Sequence, residues 1–130
     1  MNKKELSETD IRSKFITPAL VEAGWDLQTQ IREEVALTNG RILVRGQKHK
    51  RGKAKYADYI LYIKPNIPIA VVEAKDNNHT IGDGMQQALN YSDMHGELPF
   101  VFSTNGDGFL FHDRTVTKGK VEQEIFAERG

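Results

Sequence analysis

The stretch from Pro68 to Lys75 limits what this chain can become more than any other. Ile69, Ala70, Val71 and Val72 are followed by Glu73, Ala74 and Lys75. Side chains alternate between the two faces of a strand, so this order predicts Ile69, Val71, Glu73 and Lys75 on one face and Ala70, Val72 and Ala74 on the other. The first face turns from greasy to ionic along its length. A carboxylate and an ammonium at the end of an otherwise buried strand cost desolvation energy unless they pair, hold a cation or reach solvent.

The surrounding sequence supplies a sheet for this strand. Residues 56 to 64 read as a second strand, and the Pro65-Asn66 turn predicts that the two run antiparallel. Residues 31 to 45 alternate around Val35, Leu37 and Ile42 to Val44, with Asn39-Gly40 between them as a hairpin signal, predicting a strand pair of their own. Ahead of these, Ile11, Phe15, Ile16, Leu20 and Val21 form a helical stripe over residues 8 to 23. Ser7 or Thr9 can cap it, Gly24 stops it, and Pro18 marks a kink or a boundary. A second helix is expected from Thr80 or Asp83 to about His95, with Ile81, Met85, Ala88 and Leu89 toward a core. Strands at 99 to 104 and 108 to 113, and a weaker one near 121 to 126, complete the series. No repeat or linker divides it, and 130 residues with 38% apolar content suffice for one core. The pattern predicts a single domain over residues 1–130, an α/β mixed β-sheet flanked by α-helices.

Chemistry concentrates where that sheet turns ionic. Asp58 on the neighbouring strand brings a second carboxylate toward Glu73, and the two repel unless a cation sits between them. With no cysteine in the chain, such a cation is held by oxygen or imidazole, which favours Mg²⁺, with Mn²⁺ as a substitute. Phosphodiester hydrolysis uses this grouping: the metal polarises the phosphate, while Lys75 orients water or stabilises the developing oxyanion. The Ala74 carbonyl is a candidate neutral metal ligand. Glu8 is either an outer metal carboxylate or a partner of the helix dipole. Gln87 and Tyr91, four apart, are placed on one helix face, distinct from the Ile81, Met85 and Leu89 stripe, where they can orient Lys75 or a phosphate. Glu-x-Lys is common in its own right and equally describes a solvated strand end with an ion pair. The serines lack a nucleophile-elbow context, and the histidines lack metal-ligand spacing; His79 reads as a loop residue near the cleft.

Charge points to a polyanionic partner. The net charge is zero, yet Arg45, Lys48, Lys50, Arg51, Lys53 and Lys55 lie together without an acid. The other twelve basic residues face all eighteen acids, leaving the rest of the chain at −6. A basic arm on the DNA backbone fits, and residues 46 to 54 lack the spacing of a nucleotide-binding loop. No apolar run is long enough for a membrane and the start lacks a hydrophobic leader, so a cytoplasmic protein is expected.

Several segments together resemble the amino-terminal nuclease domain of the restriction (R) subunit of type I restriction-modification enzymes. They are Ile16 to Leu20 with Ala23-Gly24-Trp25, Ala57-Asp58-Tyr59, Ile69 to Lys75, Gln87 to Tyr91, and Pro99 to Gly106. The resemblance implies a PD-(D/E)xK nuclease-like fold with a RecB-like Gln-x-x-x-Tyr addition. By carry-over, Asp58 and Glu73 hold Mg²⁺, Lys75 is catalytic, and Gln87 and Tyr91 support the site or touch DNA; Ala57 stands where the motif has proline. It also implies double-stranded DNA as substrate, modification and specificity subunits as partners, and an ATP-driven motor that this chain lacks, making it a fragment of a longer protein. Two other readings remain open: a non-catalytic DNA-binding or docking module with a structural acid pair, and a free-standing Holliday-junction or repair nuclease.

Overall fold

The structure is a computed structural model that describes residues 2–37, 55–116 and 122–126. Ser7 begins the first helical stretch: its hydroxyl accepts the Asp10 N–H while the Asp10 carboxylate accepts the Ser7 N–H, closing a reciprocal cap. Helix α1 (Glu8–Ile11) opens into a π-helical turn (Arg12–Ile16) before α2 (Thr17–Glu22) resumes. Pro18 accounts for the widening, because its ring nitrogen has no hydrogen to donate and clashes with a regular preceding turn. Gly24, at φ 112°, ends the stretch as expected.

Six strands make one sheet in sequence order: β1 (Ile31–Leu37), β2 (Lys55–Lys64), β3 (Ile67–Ala74), β4 (Phe100–Thr104), β5 (Gly108–Asp113) and β6 (Glu122–Phe126). All neighbours are antiparallel except β3 and β4, which are parallel and joined through α3 (Met85–Met94). A parallel pair cannot be closed by a tight turn, so this crossover is obligatory. The expected α/β architecture is present, with helices on both faces of a mixed sheet.

Each face has its own core. Ile11, Ile16 and Leu20 pack on Ile31, Tyr59, Leu61, Ala70, Val72 and Ala74. On the other side Met85, Ala88 and Tyr91 of α3 cover Ile60, Tyr62, Val71 and Val101. Burying both faces explains why β3 reads as a nearly continuous apolar run rather than an alternating one.

Strand β1 pairs with β2; the Asn39-Gly40 turn and the strand expected after it, residues 42 to 45, lie outside the described residues. Three local expectations need correction. Ile69 does not share the Val71 face and packs with the first-helix core instead. The register skips it, from Leu61 opposite Ala70 to Tyr62 opposite Pro68, because Pro68 has no N–H for the ladder and the strand bulges there. Helix α3 starts at Met85, not at Thr80 or Asp83. The Asp83 carboxylate instead accepts both the N–H and the hydroxyl of Thr80, at 3.1 and 2.8 Å, closing a turn that precedes the helix. Finally, Tyr91 is not on a face separate from Met85; both are buried in the same core.

Gly106 seats the β4–β5 turn against the first helix. At φ 93° it occupies the left-handed region, and a Cβ there would lie 2.8 Å from Ile11 Cγ2. Gly106→Ala is expected to destabilise the fold by about 1–3 kcal/mol, combining backbone strain with overpacking. Urea unfolding of the two proteins measures it, and equal midpoints would show that the turn yields freely.

Candidate active site

Backbone pairing between β2 and β3 reaches Tyr59 opposite Val72 and then gives way to side chains. The Asp58 N–H donates to Glu73 Oε2 at 2.9 Å, and the Ala74 N–H donates to Asp58 Oδ2 at 2.8 Å. Each carboxylate takes the place of a main-chain carbonyl on the opposite strand. Two acids that ordinarily avoid each other are thereby fixed side by side. Glu73 is buried and Asp58 largely so, at 15% side-chain exposure.

Lys75 follows directly on β3. Its N–H donates to the Thr104 carbonyl at 2.9 Å, extending the parallel pairing with β4, and its side chain is half-buried. Glu73 and Lys75 both lie beneath Gly84, the residue before α3. A Cβ at Gly84 would stand 3.5 Å from Glu73 Cβ, 3.6 Å from Lys75 Cγ and 3.2 Å from Ser103 Oγ. Glycine is what permits this close approach. Ser103 fixes the loop above the acids, its hydroxyl donating to the Ile81 carbonyl at 2.7 Å and accepting the Gly84 N–H at 3.1 Å.

Electrostatics set the pair apart from ordinary surface acids. Burial and then the neighbouring Asp58 charge push Glu73 up to about 9. Burial also raises Asp58, against the pull of the Ala74 hydrogen bond and the Arg12 charge. Glu8 is raised by burial and by Asp58, with Lys75 and Arg12 opposing. Without a cation, the site therefore retains a proton. The all-oxygen donors suit a hard cation, and two carboxylates are a usual protein share of a Mg²⁺ shell completed by water and phosphate. No cluster of three or more His, Asp or Glu side chains able to hold a metal occurs among the described residues, so Glu8 bears on the pair through its charge.

The remaining candidates are distributed unevenly. The Gln87 side-chain amide donates to the Tyr91 hydroxyl at 2.5 Å, so these two do act together. Tyr91 is buried with Met85 and Ala88 against Val71, two residues before Glu73 on the same face, while Gln87 is exposed. Ala74 has a buried side chain within the first-helix core. His79 is an exposed loop residue, its Nδ1 3.1 Å from Asp76. Lys55 is exposed at the start of β2; Arg45, Lys48, Lys50, Arg51 and Lys53 lie outside the described residues.

One residue at the site escaped the sequence reading. Arg12 reaches from the π-helical turn to within 3.8 Å of Asp58 Oδ1 and also donates to Glu33 and Glu34. A signal existed, since Glu8 and Arg12 are four apart on a helix and so share a face.

Comparison with known proteins bears on this arrangement. Residues 43–120 match the family described as type I restriction enzyme R protein N terminus. The chain is 50% identical over 126 residues to the type I restriction enzyme EcoAI endonuclease subunit of Escherichia coli, covering 96% of this chain and 15% of that protein. It also superimposes, with a TM-score of 0.76 and 42% identity, on a fragment structure assigned as an HsdR subunit of a type I restriction enzyme from Vibrio vulnificus YJ016. That match covers 92% of this chain and 23% of the other. The chain belongs to the family of type I restriction enzyme R protein N-terminal domains. It spans about 15% of the length of its curated relative.

Proposed function

We propose that this chain is the Mg²⁺-dependent DNA endonuclease domain of a type I restriction enzyme R subunit, hydrolysing phosphodiester bonds of double-stranded DNA in the cytoplasm. The supporting observation is the buried Asp58–Glu73 pair at adjoining strand ends, with Lys75 one position beyond Ala74 on β3. Mg²⁺ (or Mn²⁺ in its place) bound there supplies a Lewis acid for the scissile phosphate and a more acidic water. Asp58 and Glu73 would hold it, with the Ala74 carbonyl as a further candidate ligand and Glu8 adding negative charge nearby. Lys75 places its ammonium against the non-bridging oxygens or the attacking water, where charge develops. The Gln87–Tyr91 pair steadies the α3 side of the site. Residues 45 to 55 track the DNA backbone, a salt-sensitive interaction. The relatives' names, which call them subunits of type I restriction enzymes, support association with other subunits. The family resemblance extends this to modification and specificity subunits and to an ATP-driven motor.

A non-catalytic DNA-docking module is the second reading, favoured by the absence of a three-acid cluster among the described residues. Metal titration separates the two. The nuclease reading requires Mn²⁺ binding that Asp58→Asn abolishes, together with Mg²⁺-dependent nicking of plasmid DNA by the chain or by an assembled restriction complex carrying it. If no divalent ion binds and Asp58→Asn merely raises the melting temperature, the docking reading stands. A preference for branched over linear DNA would redirect the assignment to a junction or repair nuclease.

A further inference from the structure

Arg12 is on the first helical stretch, yet its guanidinium ends against the β2 strand end with 9% of the side chain exposed. Nη1 donates to Glu34 Oε2 at 3.0 Å and stands 3.8 Å from Asp58 Oδ1, while Nη2 donates to Glu33 Oε1 at 3.2 Å. The guanidinium lies 5.3 Å from the centre of the Tyr59 ring, and the Tyr59 hydroxyl meets Thr17 Oγ1 at 2.8 Å and the Arg12 carbonyl at 3.4 Å. Its Nε is buried without any hydrogen-bond partner.

A buried guanidinium with an unsatisfied donor is a weak device for stability, since its desolvation offsets what the ion pairs return. Glu33 and Glu34 have no need of it either, because their side chains are 42% and 64% exposed. Asp58 is the acid that burial makes dependent on a neighbour. Its Oδ2 is fixed by the Ala74 N–H, so the Arg12 charge on Oδ1 restrains the other half of the carboxylate. The backbone adapts to the contact: Glu34 takes φ 51°, a left-handed conformation that non-glycine residues rarely adopt, in the strand opposite Asp58. From that position β1 changes faces, Ile31 packing with the first-helix core and Leu37 with the α3 core.

We infer that Arg12 is a positioning residue that orients Asp58 across the helix–sheet interface, so that Asp58 and Glu73 offer a divalent cation a fixed pair of oxygens. The inference rests on the nuclease reading above. Arg12 does not itself take a DNA phosphate. The groove beside it, about 390 Å³ and lined by Thr9, Arg12, Ser13, Thr17, Glu33 and Glu34, includes two exposed acids that repel one.

The test compares Arg12→Gln and Arg12→Lys with Arg114→Gln, which breaks an arginine–aspartate pair at the far end of α3. Mn²⁺ affinity is read by electron paramagnetic resonance, with a melting curve in the same buffer and steady-state kinetics in the assembled restriction complex. Arg12→Gln is expected to weaken Mn²⁺ binding about tenfold or more and to lower kcat with KM for DNA unchanged. Arg12→Lys, retaining charge without the planar fork, is expected to fall between it and the parent. Arg114→Gln is expected to keep parental Mn²⁺ affinity. If Arg12→Gln does not fold, Arg12→Lys decides. Parental Mn²⁺ affinity and kcat in the folded Arg12 variants overturn the inference, as does a rise in KM alone. Failure of the parent chain itself to bind Mn²⁺ overturns the nuclease reading instead.

Discussion

Asp58→Asn and Lys75→Ala are expected to abolish cleavage by different routes, and metal binding tells them apart. Asp58→Asn removes one of the two anionic groups of the pair and leaves Glu73 facing a neutral amide. Divalent-ion affinity is then expected to collapse, and cleavage with it. Lys75→Ala leaves both carboxylates where the strand ladder fixes them, so Mn²⁺ still binds. What disappears is a cation aimed at charge that appears only in the transition state. Losing one such group lowers turnover by about 10²–10³-fold. Plasmid nicking with Mg²⁺, beside Mn²⁺ titration of each variant, measures both effects. Cleavage by either variant at the parental rate would remove the site from the chemistry.

The second large effect concerns pH, and here the sign follows from the direction of the Glu73 shift. In the unfolded chain Glu73 titrates at its ordinary value, 4.5; in the metal-free fold it is pushed up to about 9. Between those values the folded state retains a proton that the unfolded state has released. The Glu73 contribution to stability is therefore greatest below 4.5, falls as pH rises through this window, and levels off above about 9. Asp58 and Glu8, also raised, add to the fall in the same direction. One proton limits the Glu73 contribution to about 1.4 kcal/mol per pH unit. Glu73→Gln is expected to flatten most of the slope and to stabilise the metal-free chain above neutral pH. Mg²⁺ does the opposite of protonation: it displaces the retained proton, so binding near pH 7.5 is expected to release close to one proton. Urea unfolding across pH 5 to 9 tests the first part, and calorimetry in two buffers of different ionisation enthalpy tests the second. A flat profile for the parent, or proton-neutral metal binding, would contradict the account.

What the sequence made legible follows the range of the forces involved. The hairpin carrying Asp58 and Glu73 was readable because apolar runs, a Pro65-Asn66 turn and alternation all act within a few residues. The Met85–Met94 helix was readable as a helix, but its start was not. Thr80 and Asp83 are good caps in the abstract, and only the tertiary placement of Gly84 over Glu73 decides that they close a separate turn. Tyr91 fails for a similar reason: spacing alone sets it with Gln87 on a face apart from Met85, while its ring packs in the same core as Val71. Arg12 was invisible as a site residue because its three acids come from two strands far along the chain. Glu8 is ambiguous between dipole and site, and burial, then Asp58 and Lys75, shape its surroundings.

The bulge beside Pro68 also makes the site a matter of counting. Asp58 and Glu73 are fifteen residues apart, and that interval holds one two-residue turn and two skipped residues, Ile63 on β2 and Ile69 on β3. Lengthening a strand path by a single residue exchanges its two faces, which would carry Glu73 and Lys75 away from Gly84 and into the first-helix core. The interval from Asp58 to Glu73 thus behaves as a gauge. A relative with fourteen or sixteen residues there would need to lose this bulge or acquire another to keep its acids facing each other.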